Sequence, residues 1–187
     1  MVENVLFLVS GLLFILIVFI LLFLFYHDVF KKVSIRDIDF QPFGFIFKSH
    51  KGSYKYNVEV LNQVADFVKT SGITVVNAAT IYYHNQRKSK SKQRLSDVGF
   101  MIAEQSYRNL PTDIQVKTVQ HNQYLATSVV YKSRFSVLLG AMRVYPAFRK
   151  ELKKQGLSER EIIEIYDMRN KLIVYLMPRD AELLQTS

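Results

Sequence analysis

The chain is 187 residues long, carries a formal net charge of +9 and contains no cysteine. This length allows a membrane anchor and one folded domain. The lack of cysteine excludes thiolate chemistry and a disulfide framework. The excess of basic residues favours an anionic partner, such as the surface of a membrane.

The N-terminal part of the chain is strongly apolar. Residues 5–26 form a run of 22 residues without a charge, and 19 of them are Leu, Ile, Val or Phe. A helix of this length spans about 33 Å, enough for a hydrocarbon core of roughly 30 Å. A cleavable signal peptide has an apolar region of about 7–15 residues and a small-residue cleavage site, which this segment lacks. The run therefore predicts a transmembrane helix rather than the buried helix of a soluble core.

The charges that flank this helix predict its orientation. Glu3 is the only charged residue before it, whereas Lys31, Lys32 and Arg36 follow it. Because Lys and Arg concentrate on the cytoplasmic side, residues 27–187 are predicted to be cytoplasmic and the first four residues luminal. The lack of cysteine and of any Asn-x-Ser/Thr glycosylation site agrees with this orientation.

Three further segments are predicted after the helix. Residues 27–39 are a tether that reaches no farther than about 45 Å when extended. Residues 40–178 are predicted to form one domain, because a chain of this length can bury a core of its own. Residues 179–187 are predicted to be a short tail.

The first half of the domain reads as a strand, a helix and two strands. Apolar residues alternate over residues 43–48 and predict a strand. Apolar residues recur at helical spacing over residues 60–68, and Gly72 supplies the end of that helix. Residues 73–85 and 95–105 predict two strands on either side of a basic loop.

The second half repeats this order after one extra strand. Ser133 is predicted to cap a helix that Gly156 ends and that Pro146 kinks or splits. Strands are predicted at residues 114–119, 124–130, 162–166 and 172–176. Two β-α-β-β copies predict an α+β domain with a quasi-twofold axis, in which helices cover an antiparallel sheet.

An N-terminal anchor followed by this order resembles the GyrI-like domain, and more closely the testis-expressed protein 264 family of single-pass reticulophagy receptors. The motifs that carry the resemblance are His50-x-Gly52-x-Tyr54, Ile81-Tyr82-Tyr83-His84-Asn85, Arg143-Val144-Tyr145-Pro146-Ala147, Glu164-Ile165-Tyr166 and Met177-Pro178. Their order and spacing match the family over residues 1–178. The resemblance implies a GyrI-like fold, the endoplasmic reticulum membrane and a role in the selective turnover of that organelle.

In this family a long, acidic, disordered tail holds the motif that docks ubiquitin-like autophagy modifiers. Only residues 179–187 follow the domain here, without an aromatic residue, so that motif is missing. Tyr107 and Leu110 have the spacing of such a motif, in which an aromatic and an aliphatic side chain fill two pockets. A chance match is the alternative, because the chain contains 14 Phe and 11 Tyr and because Arg108 replaces the usual acidic surroundings.

Certain GyrI-like relatives bind cationic drugs or hydrolyse small electrophiles through an acidic residue on the last strand of an aromatic cleft. The corresponding residues 171–175 contain no acid, and Glu164 on the neighbouring strand is a candidate substitute. Without a buried acid, a ligand is predicted to be neutral or anionic. The aromatic residues expected near the cleft are Tyr54, Tyr82, Tyr83 and Tyr145. The alternative is that these tyrosines belong to the core or its rim.

The basic loop concentrates five positive charges. Its cations are Arg87, Lys88, Lys90, Lys92 and Arg94. The loop is predicted to be a solvated hairpin or, as the alternative, a contact for anionic lipid headgroups. Nucleic acid is disfavoured because no aromatic residue lies within the run to stack on a base.

The sequence contains no phosphate-binding Gly pattern, no nucleophile-elbow Ser and no His spacing typical of metal ligands. No catalytic residue, cofactor or metal is therefore predicted. We expect a non-enzymatic adaptor on the cytoplasmic face of the endoplasmic reticulum, with protein partners that include ubiquitin-like autophagy modifiers. The alternative is a membrane-tethered module that binds a small molecule or a lipid headgroup between the two halves.

Overall fold

The computed structural model describes residues 2–83, 94–103, 110–120, 123–158 and 160–179. The helices are α1 (Val2–Tyr26), α2 (Asn57–Thr70) and α3 (Arg134–Gln155), and a 3-10 turn (Tyr54–Tyr56) precedes α2. The strands are β1 (Arg36–Asp39), β2 (Phe43–Lys51), β3 (Val75–Tyr82), β4 (Leu95–Ile102), β5 (Gln115–Val119), β6 (Gln123–Val130), β7 (Ile162–Asp167) and β8 (Leu172–Pro178).

Helix α1 is exposed along its length. Its segment Leu6–Tyr26 has a mean hydropathy of 3.2, and none of it is buried inside the protein. A core helix of a soluble protein packs at least one face against other elements, and this helix does not. By length and composition, α1 can cross a membrane.

The eight strands form one antiparallel sheet in the order β1-β6-β8-β7-β3-β4-β2-β5. The centre of the sheet is the β3–β7 pair, in which Thr80 lies opposite Glu164. Strands β4, β2 and β5 lie on one side of this pair, and β8, β6 and β1 lie on the other. The predicted α+β class and antiparallel sheet are confirmed.

Strand β1 lies in the segment that was predicted to be a tether. Its residues Arg36–Asp39 pair with β6, with Ile38 opposite Tyr124. The half-buried Ile38 packs against the core, which explains why this short, polar segment joins the sheet edge. The sheet therefore begins at Arg36, four residues before the predicted domain boundary.

Both long helices of the domain cover the same face of the sheet. Helix α2 packs through Val60, Val64 and Val68, and α3 through Val144, Phe148 and Leu152. One row of register partners runs across the sheet, from the hydrophobic residues packed under α2 to those packed under α3. Its members are Ile46, Phe100, Ala78 and Tyr166. Side chains of register partners point to the same side, so this row places both helices on one face.

The other face of the sheet curls around an aromatic and aliphatic core. Its buried members include Phe45, Ile81, Ile163 and Leu176. The ring of Phe40 lies 5.9 Å from that of Phe43 on β2 and 6.0 Å from that of Tyr124 on β6. Since β2 and β6 lie near opposite ends of the strand order, these contacts show that the sheet is strongly curved.

Helix α3 begins and ends where the sequence predicts. Ser133 caps it by accepting a hydrogen bond from the Phe135 amide at 3.2 Å, and Gly156 ends it with a positive φ of 69°. The helix is continuous through Pro146, so it is not split there. The buried side chains of Val144 and Phe148 on either side of Pro146 hold the helix against the sheet and offset the lost backbone hydrogen bond.

Candidate functional site

A polar cluster lies on the helical face, around Glu164 of β7; we call it the Glu164 cluster. Glu164 is only 2% exposed. The Tyr145 hydroxyl on α3 donates a hydrogen bond to its Oε1, and the Tyr166 hydroxyl donates to its Oε2 at 2.8 Å. The β7 residues Glu164 and Tyr166 are two positions apart, so both side chains point toward the helices.

Further tyrosines enclose this carboxyl group. The rings of Tyr54 and Tyr82 meet edge to face with centroids 4.7 Å apart, and the Tyr175 ring lies 6.2 Å from that of Tyr145. Burial and the nearby charge of Glu164 raise the pKa of Tyr82 and Tyr175 far above the usual value. These phenols therefore stay protonated at neutral pH and can act as hydrogen-bond donors.

The structure thus places Tyr54, Tyr82, Tyr145 and Glu164 in one cluster on the helical face. It also shows that the premise of a missing buried acid is wrong, because Glu164 is buried at the centre of the sheet. The argument that restricted a ligand to neutral or anionic groups therefore fails. A carboxyl group surrounded by aromatic rings can also receive a cation.

Tyr83 does not belong to this cluster. Adjacent residues of a strand point to opposite faces, so Tyr83 lies on the curled face while Tyr82 lies under the helices. The Tyr83 hydroxyl donates to Asp97 Oδ2 at 2.5 Å and accepts from Lys117 Nζ at 2.9 Å. Burial and the Asp97 carboxylate raise its pKa above the usual range.

Asp97 and Lys117 form a buried ion pair. Their side chains are 5% and 4% exposed, and Lys117 Nζ lies 2.5 Å from Asp97 Oδ2. The Ser49 hydroxyl donates to Asp97 Oδ1 at 2.6 Å, and the Lys117 ammonium lies 4.3 Å from the centroid of the Phe47 ring. The pair is fully engaged within the core, so its contacts favour a structural role.

No metal centre is found within the described ranges, where no three His, Asp or Glu side chains are close enough to hold an ion.

The remaining predicted contacts lie only partly within the described residues. Arg94 is half-buried and its guanidinium lies 5.4 Å from the centroid of the Tyr54 ring, so it is not part of a freely solvated loop. Leu110 is half-buried and packs against the hydrophobic residues under α2, and this position opposes its use as a docking residue. The other predicted contacts lie outside the described residues: Arg87, Lys88, Lys90, Lys92 and Tyr107.

The end of α1 contacts the domain directly; we call this region the junction. Lys132, just before α3, donates to the backbone carbonyl of Tyr26 and forms an ion pair with Asp28 at 2.5 Å. The hydrogen bond from Lys132 lowers the pKa of the Asp28 carboxyl. His27 is 7% exposed and one of its ring nitrogens lies 3.3 Å from the Ser133 hydroxyl. The first turn of α3 is thereby held against the end of α1.

An exposed apolar stripe extends from the junction along α3. Phe135, Leu138 and Met142 recur at helical spacing and are 57%, 60% and 64% exposed. The Phe135 ring meets the ring of Phe23 on α1 edge to face, with centroids 5.5 Å apart. The stripe is therefore continuous with the apolar surface of α1.

A cavity of about 450 Å³ lies beside the junction, between the segment after α1, strand β6 and helix α3. Four cationic side chains line it: Lys31, Lys32, Arg36 and Arg143. The Arg143 guanidinium donates to the backbone carbonyl of Lys31 and so joins the segment to α3. None of the sequence predictions placed a site here.

Comparison with known proteins supports the fold and nothing finer. No protein-family description matches the chain, and neither does any curated protein sequence. The solved structure of the EcmrR C-terminal domain is similar with a TM-score of 0.60 and 8% identity, over 78% of this chain and 96% of that one. The structure of EcmrR in a DNA complex is similar with a TM-score of 0.59 and 11% identity, over 82% of this chain and 61% of that one. The structure of a Listeria innocua hydrolase encoded by lin2189 is similar with a TM-score of 0.51 and 12% identity, over 83% of this chain and 97% of that one. These likenesses are consistent with a GyrI-like fold.

Several residues of these sites were not assigned to a site from the sequence. Tyr166 could have been found from its position two residues after Glu164 on a strand. Asp97 and Lys117 are 20 residues apart and meet only because β2 lies between β4 and β5. Arg143 looks in the sequence like an ordinary basic residue of an exposed helix face, and only the folded segment after α1 shows what it contacts.

Proposed function

We propose that the chain is a single-pass membrane protein whose GyrI-like domain lies on the cytoplasmic face of the endoplasmic reticulum and acts as a non-enzymatic adaptor. The observation that supports this most directly is the junction. Its ion pair, its histidine contact and the Phe23–Phe135 contact fix the domain beside the end of α1. A domain held in this way meets partners that lie on the same membrane.

The exposed surface of α1 supports the membrane part of the proposal. Transferring an uncovered apolar helix of this length from water into lipid is strongly favourable. The stripe on α3 would then lie in the interface between headgroups and acyl chains, as amphipathic helices do. Lys31, Lys32 and Arg36 follow α1 and favour the cytoplasmic side for the domain.

The endoplasmic reticulum and the link to reticulophagy rest on the family resemblance. In the strand order β4 and β2 of the first half lie on one side of the β3–β7 pair and β8 and β6 of the second half on the other, which favours the duplicated β-α-β-β arrangement of that family. We propose that the adaptor binds protein partners, with ubiquitin-like autophagy modifiers as the first class to examine. A docking motif at Tyr107 and Leu110 would require Leu110 to leave its half-buried position.

Membrane topology can be tested in microsomes derived from the endoplasmic reticulum. The full chain would carry a C-terminal tag that contains a glycosylation acceptor. We expect added protease to remove the tag without opening the vesicles, and the acceptor to stay unmodified. A glycosylated, protected tag would place the domain in the lumen and refute the proposed orientation. Chain that is extracted by alkaline carbonate would refute the membrane anchor.

Partner binding can be tested with the full chain in nanodiscs, titrated with purified ubiquitin-like autophagy modifiers. Tyr107→Ala is the test variant, and Tyr56→Ala, which removes an exposed tyrosine outside the motif, is the matched control. Saturable binding that only Tyr107→Ala abolishes would support a receptor with its motif between the two halves. No binding with any modifier would refute these partners.

A second candidate function is the binding of a small molecule at the Glu164 cluster. The observation that favours it is the buried carboxyl group of Glu164 among tyrosine rings on the helical face of a GyrI-like fold. A ligand that binds only the folded state stabilises it increasingly as the ligand concentration exceeds the Kd, so a screen of cationic and neutral metabolites by thermal shift would detect binding. Stabilisation that Glu164→Gln removes would support this function, and a screen without a hit would count against it.

A further inference from the structure

The cavity beside the junction differs from the Glu164 cluster in its charge and in its position. It is lined by the segment that follows α1, by β6 and by the first half of α3. Its volume of about 450 Å³ lies within the range of small-molecule sites, roughly 300–1,000 Å³. It could therefore hold a phosphorylated headgroup.

The walls of the cavity are strongly cationic. Asp28 is the only carboxylate among the lining residues, and it is already paired with Lys132. Within the described part of the chain, Lys31, Lys32 and Arg36 take part in no ion pair. Four cations close to one another repel unless an anion lies between them. The cavity therefore has the charge of an anion site.

Arg143 provides an unused donor at this place. One of its terminal nitrogens donates to the Lys31 carbonyl, while its Nε is buried and has no hydrogen-bond partner among the residues that the structure describes. A buried donor without a partner is costly, so a bound acceptor at this position would be favourable. Arg is also the side chain whose geometry best matches a phosphate group. The hydroxyl groups of Ser34 and Ser128 also line the cavity and add donors.

The position of the cavity points to a lipid rather than to a soluble anion. Its lining begins at His27, the first residue after the apolar segment of α1. The Phe23–Phe135 contact holds the apolar stripe of α3 beside the C-terminal end of α1. If α1 spans the bilayer as proposed above, the cavity lies at the level of the lipid phosphates.

We propose that this cavity binds the phosphorylated headgroup of an anionic phospholipid from the leaflet that the domain faces. Arg143 and Arg36 contact the phosphate, and Lys31 and Lys32 add positive charge at the mouth. The inference rests on the proposed membrane anchor but not on the adaptor function. The bound lipid would join α1, β6 and α3 and so fix the orientation of the domain on the membrane.

The test uses the full chain in neutral detergent micelles and native mass spectrometry, which gives stoichiometry and Kd together. The titrants are dioctanoyl phosphatidylinositol monophosphate, its soluble headgroup inositol bisphosphate, and dioctanoyl phosphatidylcholine. We expect one molecule of the anionic lipid to bind saturably, much more tightly than its soluble headgroup, and the neutral lipid not to bind in this way.

Two variants with the same net charge locate the site. Lys32→Gln/Arg36→Gln removes two cations from the cavity, whereas Arg149→Gln/Lys153→Gln removes two exposed cations from the distal part of α3. We expect the first pair to weaken lipid binding roughly 30-fold, about fivefold for each cation near the anion, and the second pair to leave it unchanged.

Three outcomes would overturn the proposal. Equal losses for the two double variants would show non-specific attraction rather than a site. Equal affinity for inositol bisphosphate and for the lipid would identify a site for a soluble phosphate. No saturable binding of any titrant would remove the site altogether. The titration is done in micelles, so its outcome does not depend on whether the chain spans a bilayer. The protease test in microsomes addresses the membrane anchor separately.

Discussion

Replacement of the buried Lys117 by Met should destabilise the domain more than the loss of a partly exposed lysine such as Lys48. In the native protein Lys117 neutralises Asp97 at 2.5 Å, and both side chains are almost completely buried. Met has a similar length and keeps the packing on the Phe47 ring, but it leaves the Asp97 carboxylate without its counter-ion. Removing one member of a buried ion pair costs about 3–5 kcal/mol. For a domain of this size that corresponds to a fall in Tm of roughly 10 °C.

The assay is thermal unfolding of the full chain in detergent micelles, followed by the near-UV circular dichroism of the tyrosines. The control is Lys48→Met, because Lys48 forms an ion pair of similar length, 2.6 Å, with Asp113 but both side chains are partly exposed. Such a surface pair contributes about 0–1 kcal/mol. Asp97→Asn in addition to Lys117→Met should recover part of the loss, since it removes the buried charge. Equal shifts in Tm for Lys117→Met and Lys48→Met would refute the reasoning.

Three further predictions concern the sheet, the helix cap and the junction. Gly99→Ala should lower Tm, because the new Cβ would lie 1.9 Å from a backbone carbonyl oxygen of β2. The control Gly11→Ala should leave Tm unchanged, because its new Cβ would meet no protein atom within 4 Å. Ser133→Ala should cost about 1 kcal/mol, measured by chemical denaturation, because it removes the cap of α3. Since the pKa of Asp28 in the folded protein lies below 3.8, its ion pair is present at neutral pH and is lost as the pH falls through that lowered pKa. The protection of the amides of residues 27–32, which is the intrinsic exchange rate at each pH divided by the observed rate, should then fall, and Asp28→Asn should remove this pH dependence of the protection.

Controls for these three predictions are also available in the chain. No change in Tm for Gly99→Ala would mean that β2 and β4 are farther apart than the structure shows. A loss for Ser133→Ala that equals the loss for Ser158→Ala, a serine beyond the end of α3, would exclude the cap as the cause. Protection of residues 27–32 that stays constant as the pH falls, after correction for the intrinsic exchange rate, would show that the Asp28 ion pair does not hold the junction.

Much of the domain could be predicted because its local signals are strong. The alternating apolar residues of β2, the apolar spacing in α2 and the cap and end residues of α3 each specify an element by short-range physics. The Glu164 cluster could be predicted in part, because Tyr54, Tyr82 and Tyr145 carry the family resemblance. Tyr83 was assigned to it incorrectly because the face that a strand residue occupies depends on register, and register is fixed by the whole sheet.

The junction and its cavity could not be predicted in this way. Their contacts join residues that are more than 100 positions apart, such as Asp28 with Lys132 and Lys31 with Arg143. Strand β1 was missed for a related reason, since Arg36–Asp39 contains three charged residues and only one apolar residue. Its place in the sheet comes from pairing with β6, a non-local interaction that local propensity does not reveal.

The apolar helix, the basic character of the chain and the α+β class could all be read from local sequence, because each depends on composition or on periodicity over a few turns. Which polar groups are buried, and which of them meet, depends instead on tertiary contacts. Glu164 became a buried carboxyl group because β7 is central in the sheet and the tyrosines of four other elements enclose it. The cationic cavity arose because the segment after α1 folds back against β6 and α3. Burial and long-range contacts depend on the path of the whole chain, and a local pattern of residues cannot encode that path.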